Sequence, residues 1–278
     1  MPTTAILLGL LSALTWGAAD FGGGLASKRA SSFGVVLASH LISLAAYLLL
    51  ALLLHEAVPP LRSWLFAAAA GLAGGVGLML LYRALADGKM SIAAPLSALV
   101  AAAIPVLVAA LNQGLPKALT LLGFVLALSA VWLLSSGEAT GSTRLKDLGL
   151  PLYAGVAFGL FFVLLHQASD TATLWPIVAA RIGSVSGLLA YARLRRQSWL
   201  PPRALWAWLA LIGLVDSAGT VSYLVSARLG RLDVAAVLGS LYPGATVLLA
   251  WVFLKEHITR LQAVGILLAL AAIALLTH

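Results

Sequence analysis

The chain has 278 residues, 62% hydrophobic and 9% charged, with no cysteine and a formal net charge of +8; its mean hydropathy is +1.05. Soluble domains carry roughly 45–50% apolar and about 25% charged residues, so this chain cannot cover a water-facing surface, and a soluble globular fold is excluded. The missing cysteine excludes disulfides, thiolate metal sites and thiol nucleophiles, and no cofactor is expected; the basic residues lie between apolar runs, as loop charge facing lipid headgroups does, and not as a nucleic-acid footprint.

The apolar run after Met1-Pro2-Thr3-Thr4 lacks a basic leader and is followed by many like it, so it reads as a first membrane span and not as a cleaved signal. Charged, Pro-containing or Gly-containing breaks then predict spans near 4–26, 33–54, 63–86, 91–111, 118–136, 148–168, 173–193, 203–228, 233–253 and 258–277. Each is about 20 residues of continuous apolar sequence, the length of one helical crossing, and lacks the alternation of a barrel strand. The expected class is an all-α polytopic membrane protein with ten transmembrane helices.

Ionisable groups inside these runs are costly, about 2.5–3.5 kcal/mol each on insertion scales, so they face a bundle interior and mark candidate solute pathways. In chain order they are Asp20, His40, His166, Arg181 and Asp216. Trp16 and Asp20 are four apart and share a helical face; Phe162 and His166 repeat that spacing in the sixth span. Asp20 also reads as a cap for a helix ending near Gly22-Gly23-Gly24, and the two histidines also read as packed, hydrogen-bonded core residues. Gly71-xxx-Gly75 in the third span reads as close helix packing, and Tyr82 ends that span. Pro95 and Pro105 in the fourth span and Pro243 in the ninth are candidate gating hinges and equally ordinary kinks. Arg181, mid-way along the seventh span, has Asp216 or Asp20 as possible partners, or a solute carboxylate. Asp216 and Tyr223 share a face of the eighth span, and Tyr242 precedes Pro243 where a backbone carbonyl is freed. Together Trp16, Asp20, Tyr82, His166, Arg181, Asp216, Tyr223 and Tyr242 are the candidate solute-binding residues, in a cavity expected between helices 1, 3, 4, 6, 8 and 9.

The polar stretch 137–147 divides the chain into a five-helix unit over 1–136 and a second over 148–278. A shift of 142 residues lays Gly88 on Gly230, Ala94 on Ala236 and Gly123 on Gly265, and gives seven identities in fifteen between 121–135 and 263–277. An internal duplication with an odd number of spans per unit inverts the second unit in the membrane, the arrangement of carriers that alternate access around a central site. In the loops, Arg62, Lys117, Arg228 and Arg231 lie on the side of the termini, against twelve Lys and Arg on the other side, strongest at Arg193-Leu194-Arg195-Arg196. That asymmetry predicts both termini outside the cytoplasm.

Leu14-Thr15-Trp16-Gly17, Tyr82-Arg83-Ala84-Leu85, Ser240-Leu241-Tyr242-Pro243 and the run from Leu254-Lys255-Glu256-His257 to Gly265 resemble the EamA-type members of the drug/metabolite transporter superfamily, over nearly the whole chain. The resemblance implies a bacterial inner-membrane carrier exporting or exchanging small metabolites, often amino acids, as the aromatic amino acid exporters of the YddG type do. Relatives of this kind are commonly drawn with both termini inside, against the charge count. Cationic drugs are the alternative solute, since acidic and aromatic residues suit them. An intramembrane enzyme acting on a lipid is a third reading, disfavoured because the sequence has no HExxH or GxSxG motif. The expected partners are a small-molecule solute and membrane lipid, with the chain a monomer or homodimer.

Overall fold

The computed structural model describes residues 2–86, 90–134, 148–168, 172–196, 200–254 and 259–276. Among them the helices run α1 Thr3–Ser27, α2 Ser32–Leu53, α3 Leu61–Ala86, α4 Met90–Gln113, α5 Ala118–Leu134, α6 Gly149–Ala168, α7 Leu174–Arg195, α8 Trp206–Leu229, α9 Leu232–Gly239, α10 Tyr242–Leu254 and α11 Arg260–Leu276, with a 3₁₀ turn at Arg203–Leu205. Seven spans are long and apolar enough to cross a membrane, and three shorter apolar helices, Leu96–Asn112, Ala118–Leu134 and Arg260–Leu276, complete the set. The chain is an all-helical polytopic membrane protein. Its outward side chains suit lipid: Leu7, Leu65 and Leu111 are 61%, 63% and 86% exposed.

Each predicted span is a helix, except that the ninth is two. It breaks at Ser240-Leu241, and α10 restarts with Pro243 in its first turn, where a missing N–H leaves no hydrogen bond unmade. The break keeps its backbone bonded, Leu241 N–H to Leu238 O at 3.1 Å and Gly244 N–H to Leu241 O at 2.9 Å. By contrast α4 runs unbroken through Pro95 and Pro105. The polar stretch 137–147, together with Lys255, Glu256 and His257, lies outside the described residues.

The helix ends show how the loops are held. Ser31 caps α2 by accepting from the Gly34 N–H at 3.1 Å. At the start of α11, the Thr259 N–H donates to Gln262 Oε1 (2.9 Å) and the Gln262 N–H to Thr259 Oγ1 (3.3 Å), a reciprocal capping box. The same Gln262 amide reaches the Leu134 carbonyl at 3.1 Å and so ties α11 to α5. The α7 N-terminus is capped from a distance: Glu56, in the α2–α3 loop, accepts the backbone N–H groups of Thr173, Leu174 and Trp175 at 2.8, 2.8 and 2.9 Å. A carboxylate on three orphan donors at a helix N-terminus satisfies both the hydrogen-bond and the dipole requirement. Glu56→Ala is expected to lower stability by about 1–2 kcal/mol, read as a fall in the thermal unfolding midpoint in detergent micelles; an unchanged midpoint rejects the cap. On the same face Arg231 holds the fully buried Asp233 (2.9 Å) and donates to the Gly114 carbonyl (3.1 Å). The Asp233 hydrogen bonds raise the Arg231 guanidinium above its ordinary pKa.

The five-helix units interleave. α1 lies against α8 as α6 lies against α3, α2 meets α8 as α7 meets α3, and α1 meets the α9–α10 pair as α6 meets α4. Helices α2 and α7, α4 and α9, and α5 and α11 pack on their own counterparts. This reciprocity is what a pseudo-two-fold relation between two like units produces. Two glycines 142 residues apart mark it: a Cβ on Gly71 of α3 would overlap the Ala180 carbonyl of α7, and one on Gly213 of α8 would overlap the Ser39 carbonyl of α2. At both crossings the backbones touch, which only glycine permits.

Candidate functional site

Where α2 and α7 cross between the two units, the helices leave an open cavity of about 70 Å³. One wall is aromatic. Trp16 of α1 stacks on Phe162 of α6 with ring centroids 5.5 Å apart and meets Phe161 edge-on at 6.4 Å. Behind them the buried Tyr223 of α8 packs on Trp16 at 5.7 Å and on Phe162 at 4.8 Å, and its hydroxyl donates to the Phe162 carbonyl at 3.1 Å. The Trp16 indole N–H donates to the Asp216 carbonyl at 3.2 Å, which fixes the ring against the opposite unit. Glycines 71, 74 and 75 of α3 line a second wall; a Cβ on them would meet Ala180, Phe161 and Ser184, so their bareness lets α3 lie close against α6 and α7.

The polar wall comes from α2, α7 and α8. Arg181, 7% exposed, donates from Nη1 to Nε2 of His40 (2.8 Å), from Nη2 to Asp216 Oδ2, and from Nε and Nη2 to Ser217 Oγ (3.3 and 2.9 Å). His40 in turn meets Ser184 Oγ through Nδ1 at 2.7 Å, and its Nε2 lies 4.0 Å from Asp216. These partners place an ion pair and a histidine at the crossing of the two units: Ser39, beside His40, is the repeat counterpart of Arg181 under the shift of 142. Asp20 stands apart from this cluster. Its Oδ1 accepts from the Tyr82 hydroxyl at 3.4 Å, a hydroxyl that also reaches the Ala19 carbonyl at 3.4 Å. Among the described residues no cationic side chain pairs with Asp20. Tyr242, where α10 begins, meets the buried Ser97 of α4 at 3.1 Å.

Trp16, Asp20, Arg181, Asp216 and Tyr242 therefore line one space, and Tyr82 and Tyr223 stand directly behind it. His166 does not line it. A helical step of four residues advances about 6 Å, so Phe162 reaches the cavity and His166, one turn on, lies beyond it. Asp20 is not a helix cap, since α1 continues seven residues past it to Ser27. Pro243 sits at the break beside Tyr242 and Pro105 is buried in α4; the side chain of Pro95 lies outside the described residues. Helix α2 joins the lining, and so does α7, which the expected set of spans omitted although it supplies the candidate residue Arg181. His40 is the ionisable lining residue missing from the sequence-derived set. Its signal was burial of an ionisable group in an apolar run, which alone does not separate a site residue from a packed one.

The model of a family described as "EamA-like transporter family" matches residues 3–136 and again residues 147–278. No curated protein matches the chain. A solved structure described as "Crystal structure of protein" is similar at a TM-score of 0.76 and 19% identity, over 100% of this chain and 97% of that one. At that identity the likeness is one of fold.

Proposed function

The chain belongs to the EamA-like transporter family, and from that premise we propose that it carries amino acids, aromatic or neutral ones first, across the bacterial inner membrane by alternating access around this cavity. Drug and metabolite transport in general follows from the family; the solute, the outward direction and the mechanism are our reading. The observation that carries it is the cavity itself, with aromatic rings, a part-buried ion pair and a separate carboxylate at the crossing of two interleaved units. A carboxylate at Asp20 beside apolar rings suits the ammonium group and apolar side chain of such an amino acid. We take 1–136 and 148–278 as the two units that rock against each other, 137–147 as their connection, the break before Pro243 and the prolines of α4 as the places where they bend, and both termini as outside the cytoplasm.

A cationic drug is the second reading, favoured by Asp20, which offers a carboxylate beside Trp16 without a cationic side chain of its own. Trp16→Ala is expected to weaken binding of aromatic solutes about ten-fold while leaving small neutral ones within about two-fold, given roughly 0.5–1.5 kcal/mol for a ring pair beyond its buried area. Equal effects on both would make Trp16 a packing residue only. The orientation is checked by site-directed labelling of cysteines placed at Thr4 and in the loop at Arg62: a membrane-impermeant reagent reaches both in intact cells if the termini are outside, and neither if they are inside.

A further inference from the structure

The guanidinium of Arg181 carries five N–H donors, four of them arranged as two planar forks. The side fork, Nε and Nη2, closes on Ser217 Oγ. The end fork, Nη1 and Nη2, is shared between His40 Nε2 and Asp216 Oδ2, whose 4.0 Å separation spans its two prongs. Accepting from an arginine requires Nε2 of His40 to be unprotonated, so the imidazole is neutral with its proton on Nδ1, donated to Ser184 Oγ at 2.7 Å. A carboxylate arriving in the cavity would find both forks filled. It would have to displace Asp216, which would leave a part-buried carboxylate without its partner.

Asp20 is in the opposite condition. One oxygen accepts a long 3.4 Å bond from Tyr82, and no cation answers it among the described residues. It lines the same cavity one helical turn from Trp16, whose face attracts cations. On the reading that this cavity is the solute site, we infer that the protein recognises its solute by an ammonium group seated at Asp20, and that His40, by occupying one prong of the Arg181 fork, excludes recognition by a carboxylate. The solute class is then primary ammonium compounds. Amino acids belong to it through their amino end, and so do amines and amino acid amides that have no carboxylate at all.

The experiment measures binding to the purified full-length protein in detergent, by tryptophan fluorescence checked with calorimetry, so that it does not depend on flux. The probes are phenethylamine and L-phenylalaninamide, which keep the ammonium and lack the carboxylate, and N-acetyl-L-phenylalanine, which is the reverse. Wild-type protein is expected to bind the first two at least about ten-fold more tightly than the third, the scale of one charge-assisted hydrogen bond. Asp20→Asn loses that preference. His40→Leu, which empties one prong of the fork, gains binding of the N-acetyl compound, whereas His40→Gln, which returns an acceptor oxygen near the place of Nε2, does not. Equal binding of amide and N-acetyl compound by the wild type overturns the inference, as does an absence of phenethylamine binding. The wild-type series stands by itself if a variant fails to fold. Selective amine binding with no amino acid exchange in vesicles would sink the transport reading and leave this inference standing; exchange without ammonium selectivity would do the reverse.

Discussion

Arg181→Ala is expected to abolish solute exchange and to lower stability by up to about 3–5 kcal/mol, the cost of stranding one member of a fully buried ion pair; Asp216 here is part-buried. The size of the effect follows from the number of groups it strands. Asp216 loses its cation, Ser217 and His40 lose their donor, and α7 loses its Arg181 bonds to α2 and α8 at once, keeping the Ser184–His40 bond to α2. Replacing the pair together, as Arg181→Met with Asp216→Leu, removes both charges and is expected to recover most of the stability, since apolar groups of similar volume replace such pairs at little or no loss. Exchange does not return, because the polar wall is gone. Thermal unfolding in micelles together with vesicle exchange reads both: a stable, inactive double variant supports a site role, and a double variant that exchanges normally makes the pair purely structural.

Gly71→Leu is the second change with a large expected effect, and it acts on assembly. Any Cβ at this position overlaps the Ala180 carbonyl, which is backbone and cannot turn aside. Accommodating four further carbons forces α3 and α7 apart at the crossing that also places Arg181, one residue beyond the contact. Overpacked cores lose roughly 1–3 kcal/mol where side chains can yield, so this backbone contact is expected to cost at least about 3 kcal/mol. The counterpart Gly213→Leu is expected to cost a comparable amount, because Gly213 meets Ser39 beside His40 in the same way. Monodisperse yield in detergent measures it, with Gly24→Leu as control, since nothing lies within 4 Å of a Cβ there. Normal yield from Gly71→Leu would contradict the close crossing.

The architecture was legible because the bilayer makes it so. Runs of about 20 apolar residues have one stable conformation in lipid, and the breaks between them are written in Gly, Pro and charge. The fracture of the ninth span was half legible: Pro243 announced a perturbation, and only packing fixed it at Ser240-Leu241. The capping of α7 by Glu56 was not legible, since donor and acceptor lie more than a hundred residues apart and nothing local marks a loop glutamate as a cap. The four-residue spacing puts both Trp16 and Asp20 on the cavity, the seven-residue spacing puts Asp216 on it with Tyr223 behind, and the face of Phe162 runs on to His166 where the cavity stops. His40 was visible as a buried ionisable residue and invisible as a site residue. Its role comes from Arg181, which reaches it across the crossing of two helices from different halves of the chain.

Counterflow in proteoliposomes tests the central claim, that this cavity carries amino acids across the membrane. Vesicles bearing the purified protein are preloaded with one amino acid at a time and given its labelled form at neutral pH with no imposed gradient. The account predicts saturable, stereoselective exchange for aromatic or neutral amino acids that Asp216→Asn abolishes while leaving reconstitution unchanged. Absence of exchange across neutral, aromatic, acidic and basic amino acids, from protein that reconstitutes normally, would contradict it.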